Sequence, residues 1–230
     1  MTEEILKERV ENIQRELREA SEGRYPVPRL IAVTKTHSAE EILPLRAAGV
    51  TEIGENRVQE LLGKLPDLQG AFDVHLIGRL QRNKVKQIVR HVKMIQSVDS
   101  LPLAEEISRR AEEAGRRLPV LVEISPAGEE QKGGVPKEET EAFLRNLAPM
   151  PGLRVRGLMA VMPLTEDEAW LDQLFRQTRE LFERMRDTAI DGIEMEELSM
   201  GMSGDYRIAA RHGATMVRIG SAIFGPRMYV

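Results

Sequence analysis

Short apolar runs and amphipathic stretches alternate along almost the whole chain. An opening segment, Thr2 to Glu22, carries Ile5, Val10, Ile13 and Leu17 at mostly three- and four-residue intervals and predicts a helix with Gly23 just past its end. Strands are predicted at Leu30 to Thr34, Val50 to Gly54, Val74 to Gly78, Met94 to Val98, Val120 to Ile124, Val155 to Met162, Glu197 to Met200 and Met216 to Gly220. The helical periodicity falls between them, at Ala39 to Ala48, Arg57 to Leu65, Gln81 to His91, Leu101 to Ala114, Lys137 to Leu147, Glu166 to Arg186 and Asp205 to His212. Ser100 and Thr165 supply helix starts, and Gly49 and Gly115 supply stops.

Strands that alternate with helices imply right-handed crossovers and a parallel sheet. Eight of them predict closure into a (β/α)8 TIM barrel, with residues 1–22 as an extra helix covering one end. A doubly wound open sheet is the competing arrangement. No repeat, low-complexity tract or linker divides the chain, so residues 1–230 read as one domain. Gly128 to Pro136 is the most loop-like segment and is expected to be mobile at the mouth of the fold. Only Arg227 to Val230 follow the eighth unit, so the mouth is expected to stay uncovered.

With 41% hydrophobic residues in 230, the chain can bury one sizeable core. A net charge of −4 with interleaved signs gives no field that would collect a nucleic acid. The absence of cysteine removes disulfides, thiolate metal sites and cysteine nucleophiles. The charged opening residues match neither a signal nor a transit peptide, and no apolar run approaches membrane-spanning length. A cytoplasmic protein that does not bind membranes is expected.

In a barrel, residues at the C-terminal ends of the strands converge on one pocket. Here they are Lys35, Glu55 with Asn56, Arg79, Ser97 with Asp99, Ser125, Met162, Ser199 to Ser203, and Gly220 with Ser221. Lys35 follows the apolar run LIAVT, so it is either a solvated lysine closing a strand or a partly desolvated amine available for imine formation. Gly220 and Ser221, after the last strand, suit either a tight turn or a phosphate held by backbone N–H groups. Ser199, Gly201, Ser203 and Gly204 form a small-residue turn that can present N–H groups to an anion; it also reads as a helix N-cap, with Ser203 capping and Asp205 complementing the dipole, and the two readings are compatible. Arg218 shares a strand face with Met216 and Gly220, and a barrel interior tolerates it only if paired, by a ligand or by Glu123 or Glu197.

Other residues carry less. His75 reads as a hydrogen-bonded core histidine, and His37, His91 and His212 lack metal-ligand spacing. Met159, Met162, Met200, Met202 and Met216 read as core or pocket filler, and Trp170 and Phe175 as packing. Arg79, Arg82, Lys84 and Lys86 form a basic cluster that is either a solvated helix face or part of the pocket mouth.

The segments IAVTKTHS, EIGENRVQE, HLIGRLQRNK, RGLMAVMP and LSMGMSGDYRIAARHGATMVRIGSAIFG, in that order, resemble the pyridoxal phosphate homeostasis proteins from about Leu30 to Gly225. The resemblance implies a fold-type III barrel similar to the N-terminal domain of alanine racemase, with pyridoxal 5'-phosphate bound as an imine on Lys35. It implies Asn56 beside the cofactor ring, Arg218 facing the pyridine nitrogen, and Ser199, Ser203, Gly220 and Ser221 in the phosphate-holding region. It also implies a monomer without catalytic residues or metal, which holds the cofactor and passes it on, with apo-enzymes that use pyridoxal phosphate as possible partners. One departure stands out, because many members carry a second lysine where this chain has His37.

Two further readings are open. A racemase would need a base on each cofactor face, and the chain has only Tyr25, Tyr206 and Tyr229 to offer opposite Lys35. An aldolase-like use of Lys35 on a sugar phosphate explains the cradle but leaves Arg218 without a ring nitrogen.

Overall fold

The computed structural model describes residues 2–68, 70–128 and 133–225. Its strands are β1 (Arg29–Val33), β2 (Glu52–Glu55), β3 (Asp73–Leu76), β4 (Met94–Val98), β5 (Leu118–Ser125), β6 (Val135–Pro136), β7 (Leu153–Ala160), β8 (Glu197–Ser199) and β9 (Met216–Ile219). The sheet runs in the order β4-β3-β2-β1-β9-β8-β7-β5, every neighbour parallel, and β4 pairs with β5 through Ile95 with Val120 and Val98 with Val122. That pairing closes an eight-stranded barrel and excludes the open sheet. β6 is a two-residue addition to the tip of β5.

The helices are α1 (Glu3–Ser21), α2 (Ala39–Ile42), α3 (Val58–Leu68), α4 (Val85–Ile88), α5 (Leu101–Glu113), α6 (Thr140–Leu147), α7 (Glu168–Thr188), α8 (Tyr206–Arg211) and α9 (Ser221–Phe224). The predicted helix at 39–48 divides where Pro44 opens a 3-10 turn, Leu43–Arg46. The one at 81–91 shortens to α4 behind the 3-10 turn Arg82–Lys84. Ser100 precedes α5 without capping it through its side chain. Asp167 caps α7 by accepting the Trp170 N–H, and Thr165 only supports Asp167.

The first helix differs most from expectation. Its buried face is Leu6, Val10, Ile13 and Leu17, with Ile5 exposed. It packs against α8, α9 and the Leu43–Arg46 turn, on the outside of the barrel and not over one end. The reason is geometric. Among the described residues the helix after β9, α9, has only four residues, and α1 packs beside it and α8 in the outer ring, where a longer eighth helix would otherwise lie.

Inside the barrel, Ile31, Met94, Leu121, Met159 and Met216 form a small apolar cluster, separate from the larger core between strands and helices. Met162, Met200 and Phe175 are buried as predicted, whereas Met202 and Trp170 are exposed. β7 carries a bulge at Gly157, where φ is +145° and a Cβ atom would fall 1.9 Å from the Glu197 carbonyl oxygen, so only glycine fits. Within the predicted loop Gly128 to Pro136, residues 129–132 lie outside the described residues, as do residues 226–230, on which the expectation of an uncovered mouth rested.

Candidate functional site

Lys35 sits two residues past β1, half-buried, on a densely braced turn. Buried Thr34 donates its hydroxyl to Glu55 Oε1 at 2.5 Å. Lys64 Nζ, from α3, donates to both the Thr34 carbonyl and Glu55 Oε1 at 2.8 Å. Thr36 adopts φ +70°, unusual for a side chain branched at Cβ, and its N–H is held by Glu60 Oε2 at 2.9 Å. His37 stacks on Phe224 of α9 with centroids 3.9 Å apart, and Ser38 with Glu41 forms a capping box on α2. The turn bearing Lys35 is thereby tied to α3 on one side and to α9 on the other.

Beneath it, a polar ladder crosses the barrel interior. Arg218, only 4% exposed, donates to Ser199 Oγ at 2.6 Å and to the Ala160 carbonyl at 2.8 Å. Ser199 donates to Gln96 Oε1 at 2.7 Å, and the Gln96 amide meets His75 Nδ1 at 2.9 Å. His75 Nε2 lies 3.6 Å from Glu52, which pairs with Arg29. His75 is therefore the core histidine its sequence context suggested. Burial pulls the Arg218 guanidinium well below its ordinary range, to about 10, opposed by attraction from Glu123 and Asp205, so it stays a cation at neutral pH. Arg218 makes no direct ion pair with Glu197, which is taken by Arg29 at 2.8 Å.

The cradle forms where β8 and β9 end. Ser203 Oγ accepts the N–H groups of Gly220 and Ala222, both at 3.2 Å, so these donors converge on one oxygen at the start of α9. The expected cap of α8 is not what Ser203 makes; Asp205 leads into α8 and accepts the Met202 N–H. Gly201 has φ +96°, and a Cβ there would lie 2.5 Å from that of Ala209, which lets the turn pack tightly while its carbonyl accepts the Arg218 N–H. Ser221 is exposed at the head of α9.

Lys35, Asn56, Ser203, Gly220 and Ser221 thus lie at the same end of four consecutive strands, β2, β1, β9 and β8, with Arg218 beneath them. Ser199 stands apart. It is fully buried and engaged by Arg218 and Gln96, as a support for the guanidinium and not as a member of the cradle. Asn56 Oδ1 is buried with no hydrogen-bond partner among the described residues.

Sequence reasoning missed several groups here. Gln96 and Lys64 escaped notice, although a glutamine in the middle of the strand MIQSV was a visible signal. Glu123 lines a cavity of about 250 Å³ between the ends of β5 and β7, together with Ser125, Gly133 and Val161. Burial and the neighbouring Asp99 charge push its carboxyl up to about 7, against the pull of Arg218 and Arg79.

Fold and site define a parallel barrel that brings an amine, a buried guanidinium and a cradle of backbone donors to one mouth. This is the class described as Alanine racemase, N-terminal domain, whose family model matches residues 8–228. The pyridoxal phosphate homeostasis protein of Aquifex aeolicus is 37% identical over 98% of this chain and 98% of its own length. That of Deinococcus radiodurans is 42% identical over 85% of this chain and 88% of its own. PipY of Synechococcus elongatus, solved with PLP bound, superposes with a TM-score of 0.85 at 35% identity, covering 96% of this chain and 100% of PipY. Alanine racemase of Clostridium difficile shares the fold, with a TM-score of 0.77 at 15% identity over 97% of this chain and 57% of the racemase. The chain belongs to the pyridoxal phosphate homeostasis protein family.

Proposed function

We propose that this chain binds pyridoxal 5'-phosphate reversibly and takes part in supplying it to other proteins, as a monomeric single barrel domain without turnover of its own. The observation that carries the reading is Arg218, a guanidinium buried in the barrel below a cradle of backbone donors, with Lys35 at the end of the adjacent strand.

The residues fit such a cofactor on three counts. The Gly220 and Ala222 N–H groups already converge on one oxygen, the kind of atom a phosphate supplies in threes. Asn56 presents a buried polar atom with no partner among the described residues. Arg218 offers a fixed donor that remains charged at neutral pH. In this assignment Lys35 is the amine that engages the cofactor's aldehyde, Arg218 faces the ring nitrogen, Asn56 flanks the ring, and Ser203, Gly220 and Ser221 hold the phosphate. Ser199 keeps Arg218 in place. When bound, the cofactor supplies an aldehyde carbon to which amines add reversibly. Arg218 does not give up its proton, so it leaves the ring nitrogen unprotonated and the ring a weak electron sink.

The racemase reading finds little support in the tyrosines. Tyr25 packs under Arg24 and Arg179 against Gly213, away from the strand ends that carry Lys35. Tyr206 donates its hydroxyl to Glu16 of α1 on the outside of the barrel. Tyr229 lies outside the described residues. Two measurements test the proposal. Loaded protein should reactivate an apo-enzyme faster than free cofactor at equal concentration, and equal or slower reactivation would count against carriage. No exchange of the alanine α-proton into deuterated water is expected; steady exchange abolished by Lys35→Ala would restore the racemase reading.

A further inference from the structure

From Val74 to Val98 the chain carries six lysines and arginines and no acid, although the whole sequence has 37 acids and a net charge of −4. The fold does not spread these cations evenly. Arg79, Arg82 and Lys84 line one cavity of about 1030 Å³ beside the candidate cofactor site, joined from the β2 end by Arg57 and sharing Asn56 with that site. The concavity is of the size that takes small molecules, not the flat surface of a protein interface.

Ion pairing sets this groove apart. Many surface arginines elsewhere are matched to glutamates, as in Arg109 with Glu113 at 2.6 Å, Arg145 with Glu141, Arg176 with Glu180 and Arg179 with Glu183 at 2.8 Å, and Arg154 with Glu194 at 3.0 Å. Those without such a partner among the described residues, such as Arg24, Arg46 and Arg184, stand scattered over the surface and do not share a cavity with other cations. Among the described residues no carboxylate comes within 4.0 Å of Arg79, Arg82 or Lys84, and Arg57 reaches Glu60 only at 3.6 Å. Arg79 feels Glu123 only at longer range. Asp99 is the one acid lining the groove among the described residues, against four cations. A concave surface held with this excess of positive charge raises the local concentration of anions and is suited to hold them.

We propose that this groove binds a small molecule carrying two or more anionic groups, phosphate or carboxylate, at a site distinct from the cradle at Ser203 and Gly220. Arg79 and Arg82 supply forked donors that match such groups in bidentate fashion, and Lys84 supplies a point charge. The proposal does not depend on the cofactor reading.

Calorimetric titration of the full chain with inorganic pyrophosphate and with citrate, at constant ionic strength, tests it. At least one anion should show saturable binding that weakens about tenfold or more in R79Q/R82Q/K84Q with the melting temperature unchanged, each lost charged contact being worth roughly one factor of ten. R90Q/K93Q, which removes cations of the same sequence run outside the groove, should leave binding as it is. A preference for pyrophosphate identifies phosphate as the recognised group, and a preference for citrate identifies carboxylate. Absence of saturable binding with both anions, or binding retained in the triple variant, overturns the proposal. Retained binding that Ser203→Asp removes would belong to the phosphate cradle.

Discussion

Replacing Arg218 with methionine separates the two roles a buried arginine can have. A base whose pKa falls on folding opposes folding at every pH below its folded value. The fall from the ordinary guanidinium range to about 10 corresponds to about 3 kcal/mol against the native state, relieved only as pH rises past about 10. Methionine removes that cost and keeps an unbranched chain in the same space. Against this, the Ala160 carbonyl loses the donor now at 2.8 Å, an orphaned buried acceptor costing about 1–3 kcal/mol. Ser199 still has Gln96 as a partner. The two contributions nearly cancel, so Arg218→Met should unfold in urea within about 2 kcal/mol of the parent at about pH 5, and the difference should widen against the variant as pH rises past about 7, because Glu123 loses the Arg218 charge that opposes its upward shift. Cofactor retention measured by equilibrium dialysis should fall by about tenfold or more. A loss of stability beyond about 3 kcal/mol at about pH 5, or unchanged retention, would show that the guanidinium is a strut for the barrel and refute its assignment to a ligand.

Three other outcomes are expected. Lys64→Met strands the fully buried Glu55 carboxylate and should cost about 3–5 kcal/mol in urea unfolding, with much of it recovered in E55Q/K64M. Glu123 rises from 4.5 to about 7 on folding, so the unfolded chain loses its proton first as pH climbs and stability falls across that window; Glu123→Gln should match the parent at about pH 4 and exceed it by up to about 3 kcal/mol at about pH 8, measured by denaturant titration at both. Ser221→Ala should weaken cofactor retention less than Arg218→Ala in equilibrium dialysis, because the backbone donors of Gly220 and Ala222 remain.

The barrel was legible because period-2 apolar runs and 3.6-period stretches report burial directly, and all eight predicted strands overlap barrel strands. Helix ends were less so, since Pro44 and the 3-10 turn at Arg82–Lys84 cut short two helices that their periodicity would have continued. The position of α1 rests on packing against α8 and α9, at the far end of the chain. Within the site, residues at strand ends were readable from spacing, whereas cross-barrel contacts were not. Ser199 looked like a neighbour of Ser203, but alternation along β8 turns it inward to meet Arg218 and Gln96, a residue 103 positions away. Ser203 likewise caps the start of α9, 17 residues on, in place of the helix beside it. The raised Glu123 carboxyl results from four strand ends meeting, and no local pattern encodes it.

The central claim is that Lys35 is the amine through which this chain holds pyridoxal phosphate. Incubation with the cofactor, reduction with borohydride and peptide mass mapping test it most directly. The account predicts a single stoichiometric adduct on the peptide bearing Lys35, absent in Lys35→Ala. Colourless protein with no adduct on that peptide, or an adduct that persists in the variant, would contradict it.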